Sequence, residues 1–235
     1  MTKSTIYLIP SLLAESSTAC IPVYVIDAVK NCQVIFAENE RTTRRFLKLL
    51  DPAIVIDDFE WHTIHKAEAE QIAQFRTAIK TNKNIAIISE AGCPGIADPG
   101  QQLIGVAQEM DCIIKPLVGP SSILLALMAS GLNGQQFEFV GYLPIDNTNR
   151  IKKIKELELS SAKNNSTKIF IETPYRNNQL LESIIQHCNH ATQLCIGVNI
   201  TGEDEKILTK KIIDWKKNKI ELHKLPAIFL LYAGT

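Results

Sequence analysis

The chain has 235 residues, 46% of them hydrophobic and 21% charged, which is the composition of an ordinary globular protein with one large or two small domains. Lysine plus arginine and aspartate plus glutamate balance at 25 each. This balance excludes a global attraction to nucleic acid, so that an RNA contact would require a local basic patch.

Apolar runs that resemble strands alternate with segments of helical period through the first half of the chain. The Ile72, Phe75 and Ile79 side chains, for example, recur at spacings of three and four. Alternation of this kind predicts a mostly parallel sheet with helices on its faces. We predict strands at 6–9, 33–37, 53–56, 84–88 and 112–115, and helices at 23–29, 42–50, 68–80 and 101–110.

The second half of the chain has a different pattern and predicts a mixed sheet. A helix at 123–130 ends at Gly131, a hairpin-like stretch covers 137–143, and a long basic and polar helix with its loop covers 150–165. Strands are expected at 168–172, 195–200 and 228–232, and a strand or turn followed by a helix at 203–215. We therefore predict two α/β domains in tandem, 1–117 and 118–235.

Three loops rich in glycine, hydroxyl or charged residues lie where a strand gives way to a helix, the position at which open α/β sheets bind ligands. The stretch 88–100, ISEAGCPGIADPG, contains three of the eleven glycines. The second loop, LVGPSS, covers 117–122, and the third, AENERTTRR, covers 37–45. Neither GxxxxGK[ST] nor GxGxxG occurs, so a P-loop and a dinucleotide fold are not supported.

Cysteine spacing and the N-terminal stretch indicate the cellular compartment of the protein, and a basic run bears on RNA binding. The six cysteines have no CxxC and no zinc spacing, which indicates reduced thiols in a cytoplasmic protein without a metal site. The apolar patch near the N-terminus is broken by Pro10 and Glu15, so neither a membrane span nor a signal peptide is expected. The basic run at 150–155 could contact RNA phosphates, but a solvated helix face is the favoured interpretation.

Taken together, the stretches AENERTTRRFLKLL, ISEAGCPGIADPG, PLVGPSSILLALMASGLNGQQFEFVGYLP and IFIETPYR resemble the tetrapyrrole methylase superfamily. Within it, the chain is most similar to the bacterial enzymes that methylate a cytidine ribose 2′-oxygen of 16S ribosomal RNA, over residues 6–233. The resemblance implies S-adenosylmethionine as cofactor, held between two α/β domains, and a homodimer. The first loop reads IPSLLAE rather than the family's PTPIGNL, which indicates a divergent paralogue.

The resemblance also implies a set of site residues, distributed over both halves of the chain. The cofactor would be bound by positions in the loops after strands and around the adenine. They are Pro10, Gly92, Cys93, Ile96, Ser121, Ser122, Glu172, Ile200, Pro226 and Ala227.

Methyl transfer to a ribose hydroxyl needs alignment and benefits from a base, because a hydroxyl is a poor nucleophile near neutral pH. Glu38 is the first candidate for this base and Asp98 the second. Arg41 and Arg44 could hold a phosphate or orient Glu38, although a structural ion pair among these groups explains them equally well. His62 and His65 could also face the site, but a solvated histidine is the more common case.

Three functions stay open on the sequence alone. The first is a methyltransferase that acts on a ribose of small-subunit ribosomal RNA. The second is a methyltransferase of a small tetrapyrrole-like or other heterocyclic molecule, which the neutral net charge favours. The third is a regulatory protein that binds S-adenosylmethionine without transferring its methyl group.

Overall fold

The computed structural model describes residues 3–15, 17–64, 69–218 and 220–234. The chain forms two compact units, Met1–Ser121 and Ser122–Thr235. Each unit contains its own five-stranded sheet. The domain limits of 1–117 and 118–235 stay a prediction. No helix in the described ranges is long and apolar enough to cross a membrane.

The first unit is a parallel sheet with helices on both faces. Its strands follow the order β3-β2-β4-β1-β5, and every neighbouring pair runs parallel. The strands are β1 (Thr5–Ile9), β2 (Val34–Ala37), β3 (Glu60–Thr63), β4 (Ile85–Ile88) and β5 (Ile113–Pro116). The helices are α1 (Tyr24–Lys30), α2 (Glu40–Leu50), α3 (Ala69–Lys80) and α4 (Gln101–Glu109).

Two apolar clusters lie on opposite faces of this sheet because side chains alternate along each strand. Ala86 and Ile88 of β4 belong to the cluster that α1 and α2 cover, together with Phe46. Ile85 and Ile87 belong to the cluster that α3 and α4 cover. Burial on both faces explains why β2 and β4 are continuous apolar runs.

The second unit has a mixed sheet in the order β6-β7-β10-β8-β9. β6 and β7 are parallel, whereas the other neighbouring pairs are antiparallel. Its strands are β6 (Phe137–Tyr142), β7 (Thr167–Ile171), β8 (Gln193–Val198), β9 (Lys206–Lys211) and β10 (Ala227–Tyr232). Its helices are α5 (Ser122–Ser130), α6 (Asn147–Asn164), α7 (Asn177–His187) and α8 (Ile212–Lys217). The prediction of a parallel sheet followed by a mixed sheet is confirmed.

Two predicted elements are wrong. No strand forms at 53–56, because Asp51 accepts a hydrogen bond from the Ala53 N–H at 2.8 Å and turns the chain. The strand forms instead at Glu60–Thr63, paired with β2. The stretch 137–143 is not a hairpin: Gly141, with φ +79°, follows a bulge within the single strand β6.

The basic run also differs from its favoured interpretation at one position. Arg150 is only 1% exposed rather than solvated. Its guanidinium donates to the Ile145 carbonyl at 3.0 Å and to Asn147 Oδ1 at 2.7 Å. Arg150 therefore fixes the first turn of α6 and is not available to an RNA phosphate.

Candidate functional site

The carboxyl edge of the first sheet collects the loops that follow β1, β2, β4 and β5. The loops after β1 and β4 are joined by two backbone hydrogen bonds, from Ser11 N to Gly92 O at 2.8 Å and from Gly92 N to Ser11 O at 3.2 Å. The Ser11 hydroxyl also donates to the Ser89 carbonyl at 2.8 Å. This double connection holds the glycine-rich loop against the first loop.

Glycine is required in these loops for two reasons. Gly92 and Gly95 have φ values of +72° and +86°, in the left-handed region that side chains disfavour. At Gly119 the reason is space, because a Cβ there would lie 2.1 Å from the Cβ of Pro10. The loop after β5 thus packs its backbone directly on the loop after β1.

Glu38 follows β2 and points toward the glycine-rich loop. Its Oε2 accepts a hydrogen bond from the Glu90 N–H at 3.0 Å. Burial raises the pKa of the Glu38 carboxyl above its ordinary 4.5, and the charges of Glu90 and Asp98 raise it further, against the opposing effect of the Glu90 N–H. A carboxyl group with a raised pKa, at the end of the sheet where ligands bind, is suited to accept a proton.

Asp98 lines the same crevice as Glu38 but is tied into the loop. Its two oxygens accept from Gly95 N at 2.8 Å and Gly100 N at 2.7 Å. Burial raises the pKa of Asp98, and the two N–H groups oppose that shift. Asp98 therefore fixes the turn between the glycine-rich loop and α4, while Glu38 has the freer carboxylate.

The arginines of α2 are in different environments. Arg44 donates to Glu40 at 2.9 Å and lies 4.7 Å from the centre of the Trp61 ring. It is thus engaged in a structural ion pair rather than held at Glu38. Arg41 and Arg45 are exposed, and neither side chain forms an ion pair within the part of the chain that the structure describes.

The two histidines are not equally defined. The His62 ring stacks on Phe36 with centroids 4.6 Å apart, and its Nε2 lies 2.9 Å from Glu60. This packing gives His62 a structural role at β3. His65 lies outside the described residues.

The remaining predicted residues of the first unit lie in the glycine-rich loop or in the loops next to it. The Cys93 sulfur lies 3.6 Å from the Pro120 carbonyl, and burial raises the pKa of its thiol. Pro10 is buried against Gly119, whereas the Ile96 side chain is 52% exposed. Pro10 and Cys93 thus contact the Gly119–Pro120 segment, which directly precedes Ser121. Five predicted positions lie in or next to these connected loops: Pro10, Gly92, Cys93, Ile96 and Ser121.

A second group of predicted residues lies at one end of the mixed sheet, where strands begin or end. Ser122 is the first residue of α5, the helix that precedes this sheet in the chain. Ile171 pairs with Ile228, and Ala227 pairs with Val198. The ends of β7 and β8 and the start of β10 are therefore adjacent. This register brings together the predicted residues of the second unit: Glu172, Ile200, Pro226 and Ala227.

Glu172 is the most constrained residue of this edge. Its side chain is 1% exposed, and its Oε1 accepts from Thr173 N and from Arg176 Nη2, each at 2.6 Å. Its Oε2 is buried with no hydrogen-bond partner among the described residues, and so is Oδ1 of Asn177. Buried acceptors without a donor are rare, so this edge lacks a donor that a ligand or water can supply.

Arg176 and Asn177 were not predicted from the sequence. The signal was present in ETPYR, where glutamate and arginine are four residues apart, as in a helical ion pair. Asn177 also donates from Nδ2 to the Leu225 carbonyl at 2.7 Å, which ties the loop after β7 to the segment before β10. Across the described residues there is no group of three or more histidine, cysteine, aspartate or glutamate side chains that could hold a metal ion.

Comparisons with known proteins place the chain among methylases. A family model described as "Tetrapyrrole (Corrin/Porphyrin) Methylases" matches residues 16–214. Several curated relatives carry the name "Ribosomal RNA small subunit methyltransferase I". Those from Micromonospora olivasterospora, Synechocystis and Buchnera aphidicola are 26%, 32% and 29% identical over 89%, 77% and 97% of this chain.

The matched region is shorter than these relatives. The chain covers 64% of the Micromonospora protein and 62% of the Synechocystis protein, less than two thirds of each, and 78% of the Buchnera protein.

Solved structures have the same fold. The methyltransferase CobJ superposes with a TM-score of 0.63 at 14% identity, covering 99% of this chain and 94% of its own. Uroporphyrin-III C-methyl transferase from Thermus thermophilus, solved with S-adenyl homocysteine, gives 0.60 at 12% identity, covering 97% of both chains. At these identities the likeness concerns the fold alone.

Proposed function

Because the chain belongs to the tetrapyrrole (corrin/porphyrin) methylase family, a family of methyltransferases, we propose that it transfers the methyl group of S-adenosylmethionine to a ribose 2′-hydroxyl of small-subunit ribosomal RNA. The observation that carries the RNA acceptor is the shared name of the curated relatives, which align with up to 97% of the chain. The 2′-oxygen specificity comes from the motif resemblance described above.

The residues at the two sheet edges fit such a cofactor. Glu172 Oε2 is a buried acceptor without a donor, and the amino or hydroxyl groups of S-adenosylmethionine can supply one. In the first unit, Gly92 and Gly95 give the loop a left-handed backbone without side chains. Pro10, Gly92, Cys93, Ile96, Ser121, Ser122, Glu172, Ile200, Pro226 and Ala227 are the proposed cofactor-binding residues.

When bound, S-adenosylmethionine supplies an electrophilic methyl group on a sulfonium. The chain supplies alignment and a proton acceptor. Glu38, which has the raised pKa and the less constrained oxygens, would accept the hydroxyl proton of the acceptor during transfer. Asp98 holds the loop in place through Gly95 and Gly100. The exposed guanidinium of Arg41 would take a phosphate of the acceptor.

We expect a homodimer that acts in the cytoplasm on the small ribosomal subunit and requires no metal ion.

The test begins with calorimetric titration of S-adenosylmethionine and S-adenosylhomocysteine into the full chain. We expect binding in the micromolar range, followed by methyl transfer to small ribosomal subunits that lack the modification. A cofactor that binds without any transfer to RNA would favour a small heterocyclic acceptor, to be tried next with tetrapyrroles. Binding with no acceptor at all would favour a regulatory protein, and failure to bind either ligand would overturn the proposal.

A further inference from the structure

A cavity of about 440 Å³ lies in the first unit between the loop after β1, one face of α2 and the loop after β4. Its size is within the range of about 300–1,000 Å³ that is typical of small-molecule sites. Buried Ser11, Thr43 and Phe46 contribute to its lining, with Leu12 and Leu49 adding apolar surface. None of the cofactor residues proposed for this unit lines the cavity.

The cavity nevertheless shares a wall with the proposed site. Ser11, which lines it, is the residue whose backbone is bonded to Gly92, and Ala91 of the wall directly precedes that glycine. A ligand in the cavity would therefore lie against the far side of the loops that carry Pro10 and Gly92.

Exposed charged side chains of both signs line the cavity. Arg45 lines it, is exposed and forms no ion pair within the described ranges. Glu15 and Glu90 are also exposed and line it, and neither side chain is ion-paired within those ranges. One cation beside two carboxylates suits a ligand that combines a single anionic group with hydrogen-bond donors.

We propose that this cavity binds one unstacked nucleotide of the RNA acceptor, with its phosphate on Arg45 and the exocyclic amine of its base on Glu15 or Glu90. The inference rests on the proposed function. Guanidinium groups pair with phosphate, carboxylates accept from base amines, and RNA-binding sites commonly bind bases that have been splayed out of the stack. A tetrapyrrole, whose several carboxylates would face Glu15 and Glu90, is disfavoured by like charge.

The test uses fluorescence anisotropy of the full chain with labelled single-stranded decacytidylate and decauridylate. These pyrimidines differ in that cytosine has an exocyclic amine and uracil has none. We expect tighter binding of decacytidylate. Arg45→Gln should weaken both complexes roughly tenfold and lower the slope of log affinity against log salt by about 1.

Two further variants make the test specific. Lys80→Gln removes an exposed cation from the end of α3, on the opposite face of the sheet, and should change both affinities less than about twofold. The double variant Glu15→Gln, Glu90→Gln should remove the preference for cytidylate while decauridylate still binds. Equal losses in Arg45→Gln and Lys80→Gln, no preference between the two RNAs, or no RNA binding by the wild type would overturn the inference.

Methyl transfer separates this inference from the proposed function. If the wild type methylates ribosomal subunits and Arg45→Gln does so with an unchanged KM, the cavity is not the acceptor site and only the inference fails. If the wild type neither binds S-adenosylhomocysteine nor transfers methyl groups, the proposed function fails.

Discussion

Gly119 has little freedom to change, because its backbone packs on Pro10. A Cβ at Gly119 would lie 2.1 Å from the Cβ and 2.5 Å from the Cγ of that rigid ring. We expect Gly119→Ala to lower the free energy of unfolding by about 1–3 kcal/mol through overpacking, as measured by urea denaturation.

Gly105 provides the matched control. It lies within α4, and a Cβ there would meet nothing within 4 Å. Gly105→Ala should instead raise the free energy of unfolding by about 0.5–1 kcal/mol, since alanine is the better helix former. If both variants lost stability equally, the contact with Pro10 would not be the cause.

The raised pKa of the Glu38 carboxyl predicts that activity depends on pH. A base acts only when ionised, so kcat/KM should fall as pH drops through a pKa above the ordinary 4.5 of a glutamate. Glu38→Gln should lower kcat by about 10²–10⁴-fold and remove this acid limb, with the affinity for S-adenosylhomocysteine near that of the wild type. Loss of both transfer and affinity would indicate a structural role.

The same carboxyl affects stability with a defined sign. Because the pKa of Glu38 is raised in the folded state, folding favours its neutral form, and the free energy of unfolding falls as pH rises from the unfolded pKa through the folded one. Glu38→Gln should lack that decrease. Its free energy of unfolding at pH 7 should therefore be no lower than that of the wild type, in the same urea measurement.

At the scale of elements, α2 depends on its first residues. The Asn39 side chain accepts from Arg41 N at 3.1 Å and Thr42 N at 3.3 Å, which satisfies two otherwise unpaired N–H groups. Asn39→Ala should cost about 1 kcal/mol, and a chain of this length should lose roughly 2–4 °C in Tm. Asn39→Asp, which keeps an acceptor, is the control and should melt near the wild type.

The order of elements could be predicted from the sequence, because apolar runs and helical periods are local signals. The strand predicted at 6–9 forms at Thr5–Ile9, and the helix predicted at 101–110 forms at Gln101–Glu109. The third strand could not be predicted. Glu60–Thr63 lies at the edge of its sheet and is polar, whereas 53–56 is apolar but turned by Asp51.

From the sequence, site residues could be proposed only through motifs. Glycine-rich loops after strands indicated the carboxyl end of the first sheet as the ligand side. The cavity beside α2 gave no such signal, because Ser11, Thr43 and Glu90 come from three distant segments and adjoin only after folding. Burial of Arg150 was likewise hidden, since its acceptors include the Ile145 carbonyl, and backbone acceptors carry no sequence signature.

At the scale of the whole molecule, β6, one of the two outer strands of the mixed sheet, is a candidate surface for dimer formation. β6 is paired on one side only among the described strands, and it exposes 43% of Phe137 and 59% of Tyr142. Unprotected edges of this kind pair with other chains. We expect light scattering to give a mass about twice 26.2 kDa, and Phe137→Glu to shift it toward the monomer. A wild-type monomer would contradict the proposed dimer.

The position of β1 between β4 and β5 has a consequence for synthesis on the ribosome. Ile6 emerges first, yet its strand partners are Ile85 and Ile114, far downstream. At 5–20 residues per second, the first partner follows about 80 residues and roughly 4–16 s later. During that interval the apolar TIYLI strand is without its sheet, so the nascent first half of the chain should be a target for chaperones, more so than the β8–β9 pair, whose strands are neighbours in sequence.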